Sequence, residues 1–195
     1  IATSHHIGLH RLPPILRAFN AQYAEVDLDL HFMDSEQACQ LIEQNELDMA
    51  VVTLPFEDSA KLEFIRVWHD PLMICCANDH PLSQLDKPSL RDLIRHPAVL
   101  PAHGTFTREA IEKALGKVLA ELSINLETNY LETIKMLVSV GIGWSLLPNT
   151  MLDMSISKLS VEELSLQRSL GIVYHQERTL SNAARALISE LEASA

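Results

Sequence analysis

The sequence predicts an α/β protein made of two blocks of alternating strands and helices. Strand and helix patterns alternate over residues 1–54 and again over residues 98–148, and such alternation is typical of parallel sheets covered by helices. One more strand and helix follow in the tail, where the second block has no place left for them. We therefore expect the tail to complete the first block, so that the chain crosses between the blocks twice and forms a hinge.

The first block reads as strand, helix, strand, helix and strand. Ile1–Thr3 predicts the first strand, and Pro13 with Pro14 suits the first turn of a helix, where backbone N–H groups have no partner within the helix. Apolar residues of that helix recur at helical spacing: Leu12, Ile15, Leu16, Phe19 and Tyr23. Val26–Phe32 alternates as a half-buried strand does, and Leu47–Leu54 is a near-continuous apolar run that predicts a buried strand.

The second helix of this block has signals for its start and its end. Asp34 with Gln37 predicts a capped N-terminus, and Asn45 can adopt the left-handed conformation that ends a helix. The predicted inner face consists of Ala38, Leu41 and Ile42.

We place the end of the first block near Ala77. Leu62–Trp68 and Leu72–Ala77 each predict a strand, separated at Asp70-Pro71, and the polar residues Asn78–Pro81 then predict a turn. The expected organisation is one subdomain of residues 1–77 with 168–195 and a second of residues 78–167.

The second block opens with a strand over Val99–Pro101. A helix follows, with these residues expected to face the core: Ile111, Leu115, Val118, Leu119 and Leu122. Ile124–Glu127 predicts the next strand. In the tail, Ser160–Glu163 is a capping-box pattern, Leu170–Tyr174 predicts a strand, and the final helix begins near Ser181.

A helix, two glycines and a strand complete the second block. Asn129 followed three residues later by Glu132 forms a capping-box pattern, which predicts the start of the helix. The apolar face of this helix consists of Leu131, Ile134, Leu137 and Val138. Gly141 can end the helix in the left-handed conformation, and Gly143 lets the chain turn into the apolar strand Trp144–Leu147.

Composition and charge narrow the class of protein. The 195 residues, 47% of them hydrophobic, can bury a sizeable core. The net charge of −11, with only 15 Lys and Arg residues, opposes strong binding of these residues to nucleic acid, since phosphate contacts need clustered basic side chains. Three cysteines, an odd number, form no disulfide framework and fit a reducing compartment. No apolar run approaches the about 18 residues of a membrane helix, so we expect a cytoplasmic protein without membrane contact.

The sequence starts with Ile1 rather than Met, and a predicted strand begins there without any lead-in. This start indicates a domain cut from a longer chain. An acidic sensor separated from a basic DNA-reading domain would have this appearance, and so would a processed periplasmic protein.

Polar residues follow the ends of three predicted strands. Ligands of α/β sheets bind beyond the carboxyl ends of the strands, where loops pass into helices. The candidate ligand contacts come from these loops: Thr3, Ser4, His5 and His6; Thr53; and His103, Thr105 and Phe106. Hydroxyl groups and the N–H groups of helix N-termini together favour a carboxylate or another small anion. Helix capping is the alternative role for Ser4 and Thr105.

Other kinds of site find weaker support. His5, His6 and His10 could bind a metal ion, but their loop offers no nearby Cys or acidic ligand. Cys75 and Cys76 point to opposite faces of a strand, where buried thiols behave as small hydrophobic groups rather than as redox sensors. The sequence contains no nucleophile elbow, P-loop or His-Glu-x-x-His motif. We therefore expect no catalytic residues, no metal and no cofactor.

Five segments resemble the effector-binding domain of the LysR-type bacterial transcriptional regulators, and they occur in that family's order along nearly the whole chain. The segments are Ile1–Ser4 with Leu12–Phe19, Tyr23–Leu28, Leu47–Thr53 followed by His80–Leu82, the Gly-x-Gly-x-x-x-Leu-Pro pattern of Gly141–Pro148, and Val173–Arg178 with Leu180–Arg185.

The resemblance implies two Rossmann-like subdomains joined by a two-segment hinge, a fold similar to that of type 2 periplasmic binding proteins. It implies a small-molecule effector in the cleft between them, with contacts near Ser4, His6, Thr53 and Thr105. It further implies a regulator without enzymatic activity, a homodimer of this domain, a homotetramer of the full protein, and promoter DNA bound only through a winged helix-turn-helix domain absent from this sequence.

Two other classes remain open at this stage. A periplasmic solute-binding protein of a transporter shares the two-lobe hinge, and an upstream signal peptide would favour it. A small hydrolase or aromatic-acid enzyme on the same fold is the third hypothesis.

Overall fold

The computed structural model describes residues 1–162 and 164–194, which form two compact units. Unit 1 contains Ile1–His69 and the chain from Ser169 onward, and unit 2 contains Asp70–Arg168. The chain therefore passes from unit 1 to unit 2 after His69 and returns after Arg168. Helices alternate with strands over much of the chain, which confirms the α/β class predicted from the sequence.

The elements follow one another in this order. Unit 1 begins with β1 (Ala2–Thr3), α1 (His5–His10), α2 (Leu12–Gln22), β2 (His31–Phe32), α3 (Ser35–Glu43) and β3 (Ala50–Thr53). Strand β4 (Leu62–Ala77) starts in unit 1 and ends in unit 2. Unit 2 continues with α4 (Leu90–Leu93), β5 (Ala98–Leu100), α5 (Phe106–Leu115), β6 (Ile124–Glu127), α6 (Leu131–Ser139), β7 (Ser145–Pro148) and β8 (Ile156–Leu159). Strand β9 (Leu166–His175) returns to unit 1, where α7 (Asn182–Ala193) follows.

Unit 1 is built on strands in the order β2-β1-β3-β9-β4. Strand β1 pairs in parallel with both β2 and β3, as the predicted alternation requires. Strand β9 pairs antiparallel with β3, from Ala50 opposite Val173 to Thr53 opposite Leu170. The strand of the tail therefore completes the first sheet, and the carboxyl ends of β1, β2 and β3 lie at one edge of it.

The core of unit 1 joins α1, α2 and α7 to β3 and β9. Its most buried side chains include Ile7, Leu12, Phe19, Val51, Leu170, Ile172 and Leu191. Full burial of one such aliphatic side chain stabilises the fold by roughly 1.5–3 kcal/mol. Helix α7 begins after Ser181, whose hydroxyl accepts a hydrogen bond from the Ala184 N–H over 3.1 Å. The tail helix is therefore both capped and packed within unit 1.

Two of the strand predictions are wrong. Only His31–Phe32 of the expected strand Val26–Phe32 is β-structure, because β1 offers just two residues for pairing. The strands expected over Leu62–Trp68 and Leu72–Ala77 are one continuous strand. Proline is tolerated in a strand where its missing N–H is not needed, and Pro71 is exposed there. The two units consequently divide within β4 rather than at its end near Ala77.

Unit 2 combines two sets of paired strands. The second half of β4 pairs antiparallel with β7 and β8, and β5 pairs in parallel with β6. Trp144, directly before β7, forms a parallel bridge with Ala98 of β5. Cys75 and Cys76 belong to different core clusters, the first with Ile134 and the second with Ile111. The two thiols therefore lie on opposite faces of β4, as predicted.

The segment between α6 and β7 behaves as its glycines predict. Gly141 has a φ of 79°, in the left-handed region. A Cβ atom on Gly143 would lie 2.5 Å from the backbone oxygen of Pro97, so only glycine allows this approach. Trp144 is fully buried, and its Nε1 donates hydrogen bonds to the backbone oxygens of Leu93 and His96.

Two helix predictions for unit 2 need correction. Helix α5 ends at Leu115, because Gly116 takes a φ of 54°, and the following residues Gly116–Glu121 form a 3-10 helix. Val118 and Leu119 are therefore half-buried in that turn instead of lying inside α5. The N-cap of α6 is Tyr130, whereas Asn129 lies one residue earlier and its Oδ1 accepts a hydrogen bond from the Ala102 N–H.

One pattern lies outside the described residues, namely the capping box Ser160–Glu163, because it depends on Glu163. Among the residues that the structure describes, no helix is both long and apolar enough to cross a membrane.

Candidate functional site

The parallel strands of unit 1 bring three hydroxyl-bearing residues to one edge of its sheet. Ser4 follows β1, Ser35 opens α3 after β2, and Thr53 ends β3. The Thr53 N–H donates a hydrogen bond to Ser35 Oγ over 3.1 Å, and both residues are buried. The Met33 N–H donates to the Thr3 carbonyl oxygen over 3.0 Å, which fastens the end of β2 to the end of β1. These bonds hold the loops in fixed positions.

Ser4 occupies the N-cap position of α1 but does not use its side chain there. Its backbone is extended, with φ −73° and ψ 153°, and its hydroxyl makes no capping hydrogen bond to α1. The capping role that the sequence allowed for Ser4 is therefore not the role it has. A half-buried hydroxyl at the carboxyl edge of a parallel sheet is suited to contact a ligand.

The side chain of Thr3 has a structural role. It is fully buried, and its hydroxyl donates a hydrogen bond to the Val51 carbonyl oxygen over 2.9 Å. The hydroxyl proton of Thr3 is therefore engaged in a hydrogen bond between strands β1 and β3.

The two histidines that follow Ser4 differ in environment. His6 is buried, and its ring lies beside that of His10 with 4.9 Å between centroids. His5 is half-buried, with its ring 5.3 Å from the ring of Phe32 at the end of β2. The structure thus places His5 and Phe32 together at the same edge as Ser4.

In unit 2 the loops after β5 and β6 are joined by backbone contacts. The Ala102 N–H donates to Asn129 Oδ1 over 3.0 Å, and the Thr128 N–H donates to the Leu100 carbonyl oxygen over 3.1 Å. Since β5 and β6 are parallel, both loops leave the same edge of their sheet. Asn129 therefore positions the loop that carries His103 and Thr105.

Thr105 is the N-cap of α5 and uses its side chain for that purpose. Its Oγ1 accepts a hydrogen bond from the Arg108 N–H over 3.2 Å and donates one to the Ala102 carbonyl oxygen over 3.0 Å. The hydroxyl proton of Thr105 is thus occupied, and a ligand at this helix would meet mainly its partial positive charge. His103 is exposed and Phe106 is half-buried at the same loop.

A buried arginine, Arg108, holds the loop before α5 in place. Arg108 donates from Nε to Glu112 Oε1 over 2.8 Å and from Nη1 to Glu127 Oε1 over 2.6 Å. The same Nη1 donates to the Pro101 carbonyl oxygen over 2.8 Å. Only 5% of the Arg108 side chain is exposed, so the charge depends on these partners. Arg108 therefore fixes the end of β5, the start of α5 and β6 relative to one another.

The cysteines have the properties of core residues. Burial raises the pKa of the Cys75 thiol to about 12 and that of the Cys39 thiol to about 12. Burial likewise raises the pKa of Cys76 to about 11. The thiolate is the reactive form of cysteine, so these thiols are poor nucleophiles at neutral pH.

A family model for the LysR substrate-binding domain matches residues 1–195, which is the whole chain. The chain belongs to the LysR substrate-binding domain family. The transcriptional regulator CbbR of Rhodospirillum rubrum is 32% identical over 191 residues, covering 94% of this chain and 62% of CbbR. This LysR chain thus spans about three fifths of the length of that relative.

Two solved structures share the fold of this LysR chain. The C-terminal domain of a probable LysR family regulator from Rhodococcus sp. RHA1 has a TM-score of 0.80 and 26% identity, covering 98% of this chain and 97% of that one. The Synechocystis PCC6803 CcmR regulatory domain, solved in complex with 2-PG, has a TM-score of 0.86 and 21% identity, covering 98% and 94% of the two chains. The family-model match to the whole chain favours a LysR substrate-binding domain over a transporter's solute-binding protein.

The sequence did not single out three residues of these LysR loops: Ser35, Asn129 as a loop tie, and Arg108. Ser35 was detectable, because it follows the second parallel strand at the edge where Ser4 and Thr53 lie. The sequence pattern presents Asn129 only as a helix cap. Arg108 gives no signal, because a charged residue on an amphipathic helix is normally exposed.

Proposed function

We propose that this chain is the effector-binding part of a LysR-family transcriptional regulator and that it binds a small anionic metabolite. The observation that carries the proposal is Ser4, whose hydroxyl stands at the carboxyl edge of the unit 1 sheet without capping α1. The family match to the whole chain supports the same reading.

The proposed contacts in unit 1 are Ser4, His5, His6 and Thr53, supported by Thr3 and by Ser35. Hydroxyl and imidazole groups can donate hydrogen bonds to carboxylate or phosphate oxygens. None of these residues is acidic, although the whole chain has a net charge of −11. The local chemistry thus suits an anion even though the overall charge does not attract one.

The proposed contacts in unit 2 are His103, Thr105 and Phe106, at the start of α5. A helix N-terminus carries roughly half a positive charge, which favours an anionic group placed against its first turn. Helix α5 has ten residues, and Asn129 and Arg108 hold its leading loop in place. The loop therefore needs little reorganisation to receive a ligand.

Ligand-dependent thermal unfolding of the 195-residue chain tests this proposal, with 2-PG and a panel of small carboxylates as probes. We expect at least one probe to raise the Tm of the parent and Ser4→Ala or Thr53→Val to reduce that rise. Ser181→Ala is the matched control, because it removes a real cap in α7 and costs about 1 kcal/mol of stability while leaving the ligand-induced rise in Tm intact.

Two results would count against the proposal in different ways. If no probe raises the Tm of the parent, the chain does not bind the proposed class of ligand. If a probe binds and both site variants respond like the parent, the ligand lies elsewhere.

We further propose that the chain has no enzymatic activity and acts by changing how a full-length regulator contacts promoter DNA. The matched relatives are transcriptional regulators, and they are longer than this chain. In this proposal a winged helix-turn-helix domain of the full protein binds DNA in the cytoplasm, and effector binding shifts a conformational equilibrium.

A homodimer of this domain, within a homotetramer of the full protein, is the proposed assembly. Large hydrophobic side chains are exposed along one stretch of unit 2: Leu126, Tyr130, Met136, Val140 and Ile142. Strand β6 pairs with β5 on one side, and Asn125 Nδ2 donates to the Ile142 carbonyl oxygen, so β6 lies close to the end of α6. Exposed apolar patches of this kind mark interaction surfaces.

A further inference from the structure

Asp70 and Arg168 stand at the two places where the chain changes unit. Asp70 is the first residue of unit 2 on β4, and Arg168 is its last residue on β9. Arg168 Nε donates a hydrogen bond to Asp70 Oδ2 over 2.8 Å. The two crossing strands are therefore tied together, on the unit 2 side, by one ion pair.

Arg168 also reaches the start of α5. Its Nη1 donates a hydrogen bond to the hydroxyl of Thr107 over 2.8 Å, and Thr107 lies two residues after the cap residue Thr105. One guanidinium group thus connects β4, β9 and the first turn of α5. Both hydrogen bonds lie within unit 2.

The burial of this cluster argues against a role in stability alone. The exposed fractions of the Arg168 and Asp70 side chains are 5% and 1%. The free-energy cost of removing two charges from water cancels much of the gain from their electrostatic attraction. Apolar residues of similar volume therefore often stabilise a fold equally well or better. A planar guanidinium group has several N–H donors in a fixed geometry, so it can fix the positions of several partners relative to one another. Apolar residues cannot do this.

We propose that Arg168 is a positioning residue that couples the first turn of α5 to the two crossing strands. This inference rests on the proposed function, in which the first turn of α5 contacts the effector. A ligand that shifts or orders the first turn of α5 changes the position of Thr107. Arg168, which is hydrogen-bonded to both Thr107 and Asp70, transmits this displacement to the crossing segments of β4 and β9. In the described chain the crossing segments are the covalent links between the two units, so the change reaches the segments that join them.

Amide hydrogen exchange on the 195-residue chain, without any ligand, tests the coupling. Thr107→Val keeps the shape of the side chain and removes the hydroxyl, whereas Thr107→Ser keeps the hydroxyl. We expect Thr107→Val to speed exchange roughly tenfold over residues 69–72 and 167–170, because a hydrogen bond to a charged group is lost. Thr107→Ser should restore exchange to within about twofold of the parent there.

Ile111→Val is the matched control for loss of packing in the same helix, because Ile111 is fully buried in α5 and belongs to the core cluster of unit 2. It should speed exchange within α5 but not over the two crossing segments. Arg168→Lys is the second test variant, since a lysine keeps the charge opposite Asp70 but cannot hold both partners in a fixed geometry. It should reproduce the effect of Thr107→Val at the crossing segments even if Thr107→Val does not fold.

The coupling is overturned if Thr107→Val and Arg168→Lys speed exchange only within α5, or if Ile111→Val speeds it equally at the crossing segments. A second arm adds 2-PG to the parent, where binding should slow exchange at residues 69–72 and 167–170. If no probe binds the parent, the proposed function is wrong. The ligand-free exchange experiment still decides whether Arg168 couples α5 to the crossing strands.

Discussion

Arg108 Nη1 lies 2.6 Å from Glu127 Oε1, which places a charged helix residue beneath the loop that begins α5. A cation at a helix N-terminus opposes the helix dipole, so Arg108 needs its two glutamate partners to be tolerated there. The unfavourable interaction of Arg108 with the helix dipole is thus offset by hydrogen bonds that hold the loop before α5 in place.

Arg108→Met should therefore destabilise the chain by about 2–4 kcal/mol, since it removes charge-assisted hydrogen bonds and leaves Pro101 and the two glutamates without this donor. The free energy of unfolding in urea measures the loss. Arg95→Met is the control, because Arg95 forms an exposed ion pair with Asp92 and should cost less than about 0.5 kcal/mol. Equal losses from both variants would contradict a structural role for Arg108.

His80 should make stability depend on pH. Partial burial, and then the nearby charge of His96, lower the pKa of His80 below its usual 6.5. Its Nδ1 accepts a hydrogen bond from the Leu82 N–H, and protonation removes that acceptor. The unfolded chain binds this proton more readily, so the stabilisation is complete above about pH 6.5 and is lost as the pH falls toward the lower folded-state pKa.

Replacing His80 with Asn tests this directly, because Asn can accept the same capping bond and does not titrate. The urea midpoint of the parent should fall between pH 7.5 and pH 5.5 by more than that of His80→Asn. His103→Asn, at an exposed loop position, should keep the pH dependence of the parent. An NMR titration of the His80 ring that gave a pKa above 6.5 would be incompatible with this account.

The exposed apolar stretch at the end of α6 should control self-association. Val140 is 64% exposed, and a charge there would be buried without a partner in a dimer that uses this surface. Val140→Asp should shift the chain from dimer to monomer in sedimentation velocity experiments. Leu85→Asp, at an exposed leucine outside the stretch, should leave the dimer intact. A dimer that survives Val140→Asp, or that is equally lost in Leu85→Asp, would place the interface elsewhere.

Several elements were predictable because their causes are local. Asn45 and Gly141 have the positive φ values that their positions suggested, and Ser181 caps α7. In each case a residue's own conformational preference, or a hydrogen bond to a residue three positions away, is enough to fix the structure.

Other elements depend on partners far along the chain. The strand expected over Val26–Phe32 is short because β1 is short. Asn129 accepts a hydrogen bond from the Ala102 N–H, 27 positions earlier in the chain, and the N-cap of α6 is Tyr130. Ser4 and Thr105 both look like caps in the sequence, but of the two only Thr105 makes the capping hydrogen bond.

The sequence by itself determined the α/β class and the return of the tail to the first sheet, because hydrophobic periodicity and turn residues are local signals. It also predicts the loops that we propose contact a ligand. Only the tertiary structure decided which hydroxyls remain available and which charges are buried. The cluster of Asp70, Arg168 and Thr107 joins residues up to 98 positions apart. No local pattern records such a contact, because its energy arises only when the folded sheet and helix remove all three side chains from water together.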